Sequence, residues 1–424
     1  MRLEPRRTLR WIIPLGLLLA TNGMIRASTS SGSSLPGMLR RAQQCLDPTF
    51  DVYAHTRAYA PFTHAFFAPF SFPSIWVTSG IWCLAMVTLG FASVFLLART
   101  FWGDRDVPRS LWIITLVVAV PMIGNNVLRA QNNLLVLFLI SLALWRLSVG
   151  RDKGAGASLA FAAAFKLTPA IWLAYLLGMR RLRALASMIV CLGIFLLGVP
   201  ALVFGPERSW ELQQDWYESV IVAYATEGGE AVLTGNPYRH SNQSAKAVMT
   251  RLFTDFNSGE RDDPLYVNVA SFRRKSIDPW AKGFAAVILA VLVAATWRNR
   301  TALRERWGLQ AIGLAGLVAL GAPLISEISW TSHYAVMLVT TTAVAGFAMR
   351  APAPLDTLCR RGLYVFVAIG LLSFHGPPKA LGALFFANLV LFVTLALAMW
   401  RLPSVLSSSA APARERAGTA APPR

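Results

Sequence analysis

This sequence predicts an all-α polytopic membrane protein: a bundle of about ten transmembrane helices, one broken re-entrant hairpin, and two large loops on one side. Three observations carry that prediction. Hydrophobic residues make up 55% of the chain and charged residues only 14%, with a mean hydropathy of +0.50; soluble domains average about 25% charged residues. The apolar residues fall in runs near the length a bilayer demands, about 20 residues for a helix. The basic residues behind the net charge of +19 punctuate those runs. They cluster at Arg6/Arg7/Arg10, Arg99/Arg105, Arg146/Arg151/Lys153, Arg180/Arg181/Arg183, Arg298/Arg300/Arg304/Arg306 and Arg360/Arg361. A nucleic-acid binder would gather its charge on one folded face. Connectors that anchor spans on the cytoplasmic side explain this spacing better.

The crossings are read at residues 11–25, 75–98, 110–128, 134–147, 184–204, 280–297, 307–325, 334–349, 362–374 and 381–400. The first also has the basic start and apolar core of a signal peptide. Either reading exports the segment after residue 25. Residues 155–179 break the pattern, because basic clusters flank them on both sides. A straight crossing would place one cluster outside and invert everything downstream. Lys166-Leu167-Thr168-Pro169 puts a charge and a helix breaker in the middle. Each half is roughly 12 residues, about 18 Å of helix, too short to span. A broken hairpin that enters and returns to the cytoplasm satisfies the charge pattern; one Pro-kinked crossing is the alternative.

Residues 1–403 then form a single integral membrane domain with outer loops at 26–73 and 205–279, and an Ala/Ser/Pro/Arg-rich tail from 404 to 424 is expected to be disordered and cytoplasmic. The first loop opens on a Ser-rich piece and continues through Phe50, Tyr53, Tyr59, Phe62, Phe66, Phe67, Phe70 and Phe72, rings suited to headgroup depth. The second holds 11 of the 21 acidic residues. Four scattered cysteines (Cys45, Cys83, Cys191, Cys359) show neither a disulfide framework nor metal-ligand spacing.

Orientation by the positive-inside rule places Asp47, Asp51, Gln131, Asn133, Asn242, Gln243, Ser244 and His333 on the non-cytoplasmic face, together with Arg129 and Arg239. Amides at a span end can hydrogen-bond sugar hydroxyls or phosphate oxygens. They can also be simply solvated. His333 equally suits a structural place at a span end. Lys166 either reaches a phosphate or pairs internally. Asn242-Gln243-Ser244 positions an acceptor or its own loop, and is formally an N-glycosylation sequon.

The order of these motifs resembles glycosyltransferase family 87. The residues that carry the resemblance are Gln131-x-Asn133 at a span start, Lys166-x-x-Pro169 followed by Arg180-Arg181-x-Arg183, Asn242-Gln243-Ser244, and Ser329-Trp330-x-x-His333-Tyr334. Tyr59-Ala60-Pro61 and Phe67-Ala68-Pro69-Phe70 are similar to the family's segment before the second span. Ala130 stands where the family often has Gly, and Ala60 where it often has Pro. The resemblance implies a GT-C-like bundle that moves a hexose, mannose in this family, from a polyprenyl-phosphate donor to a lipid or glycan acceptor on the outer face. It implies a carboxylate base soon after the first span, for which Asp51 is the first choice and Asp47 the second. Arg129, Arg239 and Lys166 would face the leaving phosphate, and His333 would either contact that phosphate or handle a proton.

No Asp-x-Asp pair and no histidine ligand spacing marks a metal site, so a metal-independent reaction without cofactor is expected, and the single displacement that the resemblance implies would make it inverting. Nucleic acid is not an expected partner; membrane lipids are. A transporter or flippase of lipid-linked sugars would also want broken helices and intramembrane charge. It would usually hold its site at the midplane between repeated halves, and here the polar content lies in one-sided loops.

Overall fold

The structure, a computed structural model, describes residues 5–29, 33–55, 59–103, 107–228, 236–259, 263–305 and 307–418. Arg105 and Arg306 lie outside the described residues, as does part of the Ser-rich piece. Among the described residues every regular element is helical, and one isolated antiparallel bridge joins Asn242 to Trp330. The chain begins with α1 (Pro5–Thr29), and α2 (Ser34–Leu46), α3 (Val52–His55) and α4 (Pro61–Phe67) come next in the first loop. Three long helices run back and forth: α5 (Ile75–Trp102), α6 (Arg109–Leu128) and α7 (Asn133–Ser148). Next come α8 (Asp152–Phe165) and α9 (Trp172–Gly178), then α10 (Leu182–Gly193), which continues through a π turn at Ile194–Gly198 into α11 (Val199–Phe204). The second loop holds α12 (Pro206–Trp216), α13 (Ala223–Glu227) and α14 (Ala245–Phe253). The bundle closes with α15 (Ile277–Arg298), α16 (Arg300–Glu305), α17 (Leu309–Ile325), α18 (Met337–Arg350), α19 (Leu355–Leu372), α20 (Gly376–Ala380) and α21 (Ala383–Gly418).

Among the described residues seven helices are long and apolar enough to cross a membrane: Ile12–Thr29, Ile75–Trp102, Arg109–Leu128, Leu182–Phe204, Arg274–Arg298, Thr331–Arg350 and Ala383–Leu402. The other three expected crossings fall on α7, α17 and α19, which are shorter or carry more charge. Length and composition alone therefore stop short of ten. The centre of the bundle is α17 and α18, buried almost throughout and tied by Thr340, whose hydroxyl donates to the Gly316 carbonyl at 2.7 Å. Apolar residues such as Leu202 and Val293 point outward, where lipid rather than water suits them.

The hairpin is explicit. Helix α8 ends at Lys166, Pro169 sits in a short 3₁₀ turn at Thr168–Ile171, and α9 returns. Asp152 at the head of α8 meets Arg181, just past α9, at 3.5 Å. Both feet therefore stand at the same end of the bundle, which rules out a kinked crossing. The tip is held at the other end, where Thr63 Oγ1 donates to the Phe165 carbonyl at 3.0 Å. Small residues let α8 lie close against α10. Gly156 marks the closest approach: a Cβ there would strike the Ala184 carbonyl and the Met188 amide.

The two ends of the bundle differ. One gathers basic connectors: Arg146 donates to Gly154 and Ser158 at 2.8 Å each, Arg298 to the Trp400 carbonyl and Arg350 to the Phe101 carbonyl, both at 2.6 Å. The opposite end carries both large loops, which fold on each other. Cys45, Val52, Tyr53 and Ala60 of the first form a small core with Leu212, Trp216 and Val220 of the second. Arg208 of α12 clamps the carbonyls of Asp47 and Phe50 at 3.2 and 2.6 Å. At the C-terminal side α21 continues to Gly418, into the stretch expected to be disordered; its alanines and Arg-Glu-Arg run favour helix.

Candidate active site

The turn between α6 and α7 organises the loop end. Helix α6 closes with Ala130 N–H on the Val127 carbonyl at 2.9 Å and Gln131 N–H on Asn126 at 2.8 Å, a closure that needs a left-handed residue at Ala130. Ala130 has φ 46°. That conformation costs an L-residue about 1–2 kcal/mol. Glycine would relieve it, but would lose a buried methyl worth about 0.8 kcal/mol and about 0.5–1 kcal/mol of chain entropy. The two sides nearly cancel, so alanine is tolerated where the family often has glycine.

Around this turn the expected residues converge. The Arg129 carbonyl accepts the Ser34 amide at 3.0 Å, and the Gln131 side chain donates to the Ser34 hydroxyl, so α2 begins on the turn. Asn133 opens α7 and joins a relay: Lys166 Nζ donates to Asn133 Oδ1 at 2.7 Å, and Asn133 donates to Asn126 Oδ1 at 3.0 Å. Asn126 in turn reaches the Ser332 carbonyl at 3.4 Å. Asn133, Lys166, Thr168, Ser329 and His333 then line one small cavity of about 30 Å³ with apolar walls that include Trp172 and Val336. It has room for a water or two, not a sugar. Lys166 is therefore paired internally, with its cation close enough to act on His333.

Asn242, Gln243 and Ser244 are buried, and their bonds go to the protein. Asn242 Oδ1 accepts the amides of Ser244 and Ser329 at 3.1 and 2.9 Å. Gln243 donates to the carbonyls of His240 and Lys379, and Ser244 to that of Glu327, each at 2.7 Å. Tyr334 donates to the Gln243 carbonyl at 2.7 Å. This segment thus fastens the Glu327–Tyr334 strap, and His333 with it. Gly235, which precedes it, lies outside the described residues.

Positive charge collects beside this strap. Burial, then the charges of Arg26 and Arg239, lower the Arg129 pKa; burial, Arg129 and Arg239 lower that of Lys379. Among the described residues the charges that act on these two groups are positive. A group of cations from separate elements favours an anion placed among them. Lys379 gives no signal in the sequence, since it sits in a short polar turn with no motif.

The carboxylates lie on the neighbouring loop. Asp51 Oδ1 accepts the amides of Tyr53 and Ala54 at 3.0 and 2.9 Å, which starts α3. Asp47 accepts the Thr49 hydroxyl and amide at 2.7 and 2.9 Å, and these bonds hold its pKa down. Both are exposed. The Asp51 turn leans on the organising turn through Tyr53, whose hydroxyl donates to the Tyr59 carbonyl at 2.8 Å, and Tyr59 in turn lies against the Asn132 amide. Two more residues have places that the sequence reading does not assign. Asp215 on α12 has a raised pKa, chiefly from burial and then from Asp51. Arg251 is buried and donates to the carbonyls of Ala380, Tyr238, Arg239 and Asn242 at 2.7, 3.1, 3.2 and 2.7 Å, which joins the cation turns into one unit. An arginine inside an otherwise apolar helical stretch is its only signal.

The family model for glycosyltransferase family 87 matches residues 58–326, more than half of the chain. The chain belongs to glycosyltransferase family 87. The match contains Arg129, Gln131, Asn133, Lys166, Arg239, Asn242, Gln243 and Ser244, while Asp47, Asp51 and His333 lie outside it. This family 87 chain is also similar to a protein of Mycobacterium tuberculosis (strain CDC 1551 / Oshkosh) named polyprenol-phosphate-mannose-dependent alpha-(1-2)-phosphatidylinositol pentamannoside mannosyltransferase. The identity is 24% over 281 residues, 65% of this chain and 55% of that protein. The alignment spans about half the length of that relative. No solved structure matches the chain.

Proposed function

We propose that this protein transfers mannose from a polyprenyl-phosphate donor to a glycolipid acceptor, at the loop end of the bundle and on the extracytoplasmic face. The observation that carries the proposal is the convergence on the Arg129–Asn133 turn, in a family 87 chain, of a cation group, a Lys–Asn relay, His333 and a carboxylate loop. The outward orientation rests on the basic connectors at the opposite end. Both termini are then cytoplasmic.

In this reading Arg129, Arg239 and Lys379 hold the donor phosphate. A groove of about 760 Å³ between α10 and α12, lined by Leu196, Leu197, Trp210 and Tyr217, takes the polyprenyl chain from the bilayer. The Asp51 carboxylate removes the proton of the acceptor hydroxyl, with Asp47 as the second choice. The hydroxyl oxygen bonds to the anomeric carbon as the bond from that carbon to the phosphate oxygen breaks. The electron pair leaves with polyprenyl phosphate, whose growing charge the arginines and Lys379 stabilise. Attack opposite the leaving group inverts the centre, so a β-linked donor gives an α-linked product. Gln131, Asn133 and the Asn242–Ser244 segment position these groups.

The reading needs no divalent cation. The test is transfer of label from polyprenyl-phosphate-mannose into glycolipid by the purified protein with and without EDTA. The product is then digested with an α-mannosidase. Chelator-resistant transfer and release of the label support the reading; a β-linked product or loss of transfer in EDTA contradicts it.

A further inference from the structure

A second lateral groove lies at the other end of the bundle. The hairpin is half a span long, so α9 stops short and leaves a notch against α15. The notch has a volume of about 700 Å³, within the roughly 300–1,000 Å³ of small-ligand sites. Its body is apolar, with Leu177, Leu289, Leu292 and Val293 among its walls. Its mouth carries Arg180, Arg300 and Trp297.

Among the described residues the two arginines have donors left for a ligand. Arg300 donates, among the described residues, to the Trp297 carbonyl at 3.1 Å, and lies over the Trp297 ring at 4.4 Å. Arg180 makes no side-chain bond among the described residues, and the nearby hairpin carboxylate, Asp152, is taken by Arg181. Arg180 also occupies the left-handed cap of α9, φ 52°, where glycine is the usual residue. An arginine is kept there at a conformational cost. Gly178 brings α9 close to Thr296 of α15, so the mouth has a fixed width.

We infer that this notch is a binding site for one anionic phospholipid, its acyl chain along the apolar walls and its phosphate between Arg180 and Arg300. Basic pockets between transmembrane helices hold such headgroups through charge complementarity, and tryptophan sits at the same depth. The bound lipid fills the gap beneath the hairpin that carries Lys166 and fastens its foot to α15.

The experiment adds phosphatidylglycerol or phosphatidylcholine, with the same acyl chains, to the purified full chain in detergent. Thermal melting and native mass spectrometry read the response. The wild type should melt higher with phosphatidylglycerol and retain one copy in preference to phosphatidylcholine. In Arg180→Gln/Arg300→Gln that preference should disappear, while Arg180→Lys/Arg300→Lys keeps part of it. Val293→Trp, which fills the groove, should lower retention of the lipid. Arg361→Gln, at the same end but outside the groove, should retain the full preference. Undiminished preference in the double Gln variant, or equal loss in Arg361→Gln, overturns the site in favour of diffuse surface charge. Should the double Gln variant not fold, unchanged retention in Val293→Trp overturns it as well.

Discussion

Lys166 is a half-buried cation whose hydrogen-bond partner among the described residues is neutral, the Asn133 amide at 2.7 Å. Keeping a charge out of water with a neutral partner is costly, and an apolar replacement of similar shape is often neutral or stabilising. Lys166→Met should therefore leave the melting temperature unchanged or raised while transfer falls by about 10²-fold, the scale of a lost electrostatic contact in a water-poor site. Melting curves beside initial rates check this; a fall in both together would make Lys166 a tether and nothing more. His64 has a different role. It is buried, both ring nitrogens lack partners among the described residues, and burial followed by the Arg41 charge lowers its pKa from 6.5 to about 3. The folded protein keeps it neutral where the unfolded chain takes up a proton. Below about pH 6.5 the unfolded state binds more protons, so stability falls with falling pH, by up to about 1.4 kcal/mol per unit from this group. Above that pH its contribution is constant. Melting between pH 7.5 and 5 should decline less steeply in His64→Phe than in the wild type. The sequence names an amide, a lysine or a histidine but not what each faces. Asn242, Gln243 and Ser244 have the residue types of a sugar site, yet their bonds close on backbone.

The hairpin is legible in the sequence because charge counting does not depend on packing. Basic clusters on both flanks and a Lys-x-x-Pro centre favour it over a kinked crossing, and Asp152 meeting Arg181 at 3.5 Å is its signature. Its fit to α10 is tight at Gly156, where a side chain would meet backbone. Gly156→Val should destabilise the fold by about 1–3 kcal/mol, the usual cost of overpacking. A melting temperature equal to the wild type would mean that the two helices are not in contact. The loop end is less legible. Arg208 reaches the carbonyls of Asp47 and Phe50 across two loops far apart in sequence, and no periodicity announces such a contact. Asp215 enters the site the same way, through α12 folding back on the first loop. A Ser-rich opening and scattered rings suggest a flexible, aromatic first loop, but the two loops hold short helices around a small core of their own.

At the scale of the molecule, two unlike ends define the protein: basic connectors at one, and cations, amides and carboxylates around a single turn at the other. Composition alone gives the membrane bundle, since apolar runs and arginine spacing are properties of the chain and need no partner. The convergence at the Arg129–Asn133 turn depends on contacts among at least four distant segments, and only their shared sidedness is visible in the sequence. That sidedness is open to direct test. Single cysteines at Lys153 and Arg183 should react with an impermeant thiol reagent from one side of a sealed vesicle, and one at Lys379 from the other. Reaction of all three from one side would break the two-ended arrangement. The central claim is that the loop around Asp51 supplies the base for sugar transfer. Its most direct measurement is the initial rate of mannose transfer from radiolabelled polyprenyl-phosphate-mannose to host lipid, for the wild type, Asp51→Ala, Asp47→Ala and His333→Ala in proteoliposomes. The account predicts transfer by the wild type, a fall of about 10²–10⁴-fold in Asp51→Ala, and a smaller loss in Asp47→Ala. Full activity in both Asp variants, or donor that is only hydrolysed by the wild type, would contradict it.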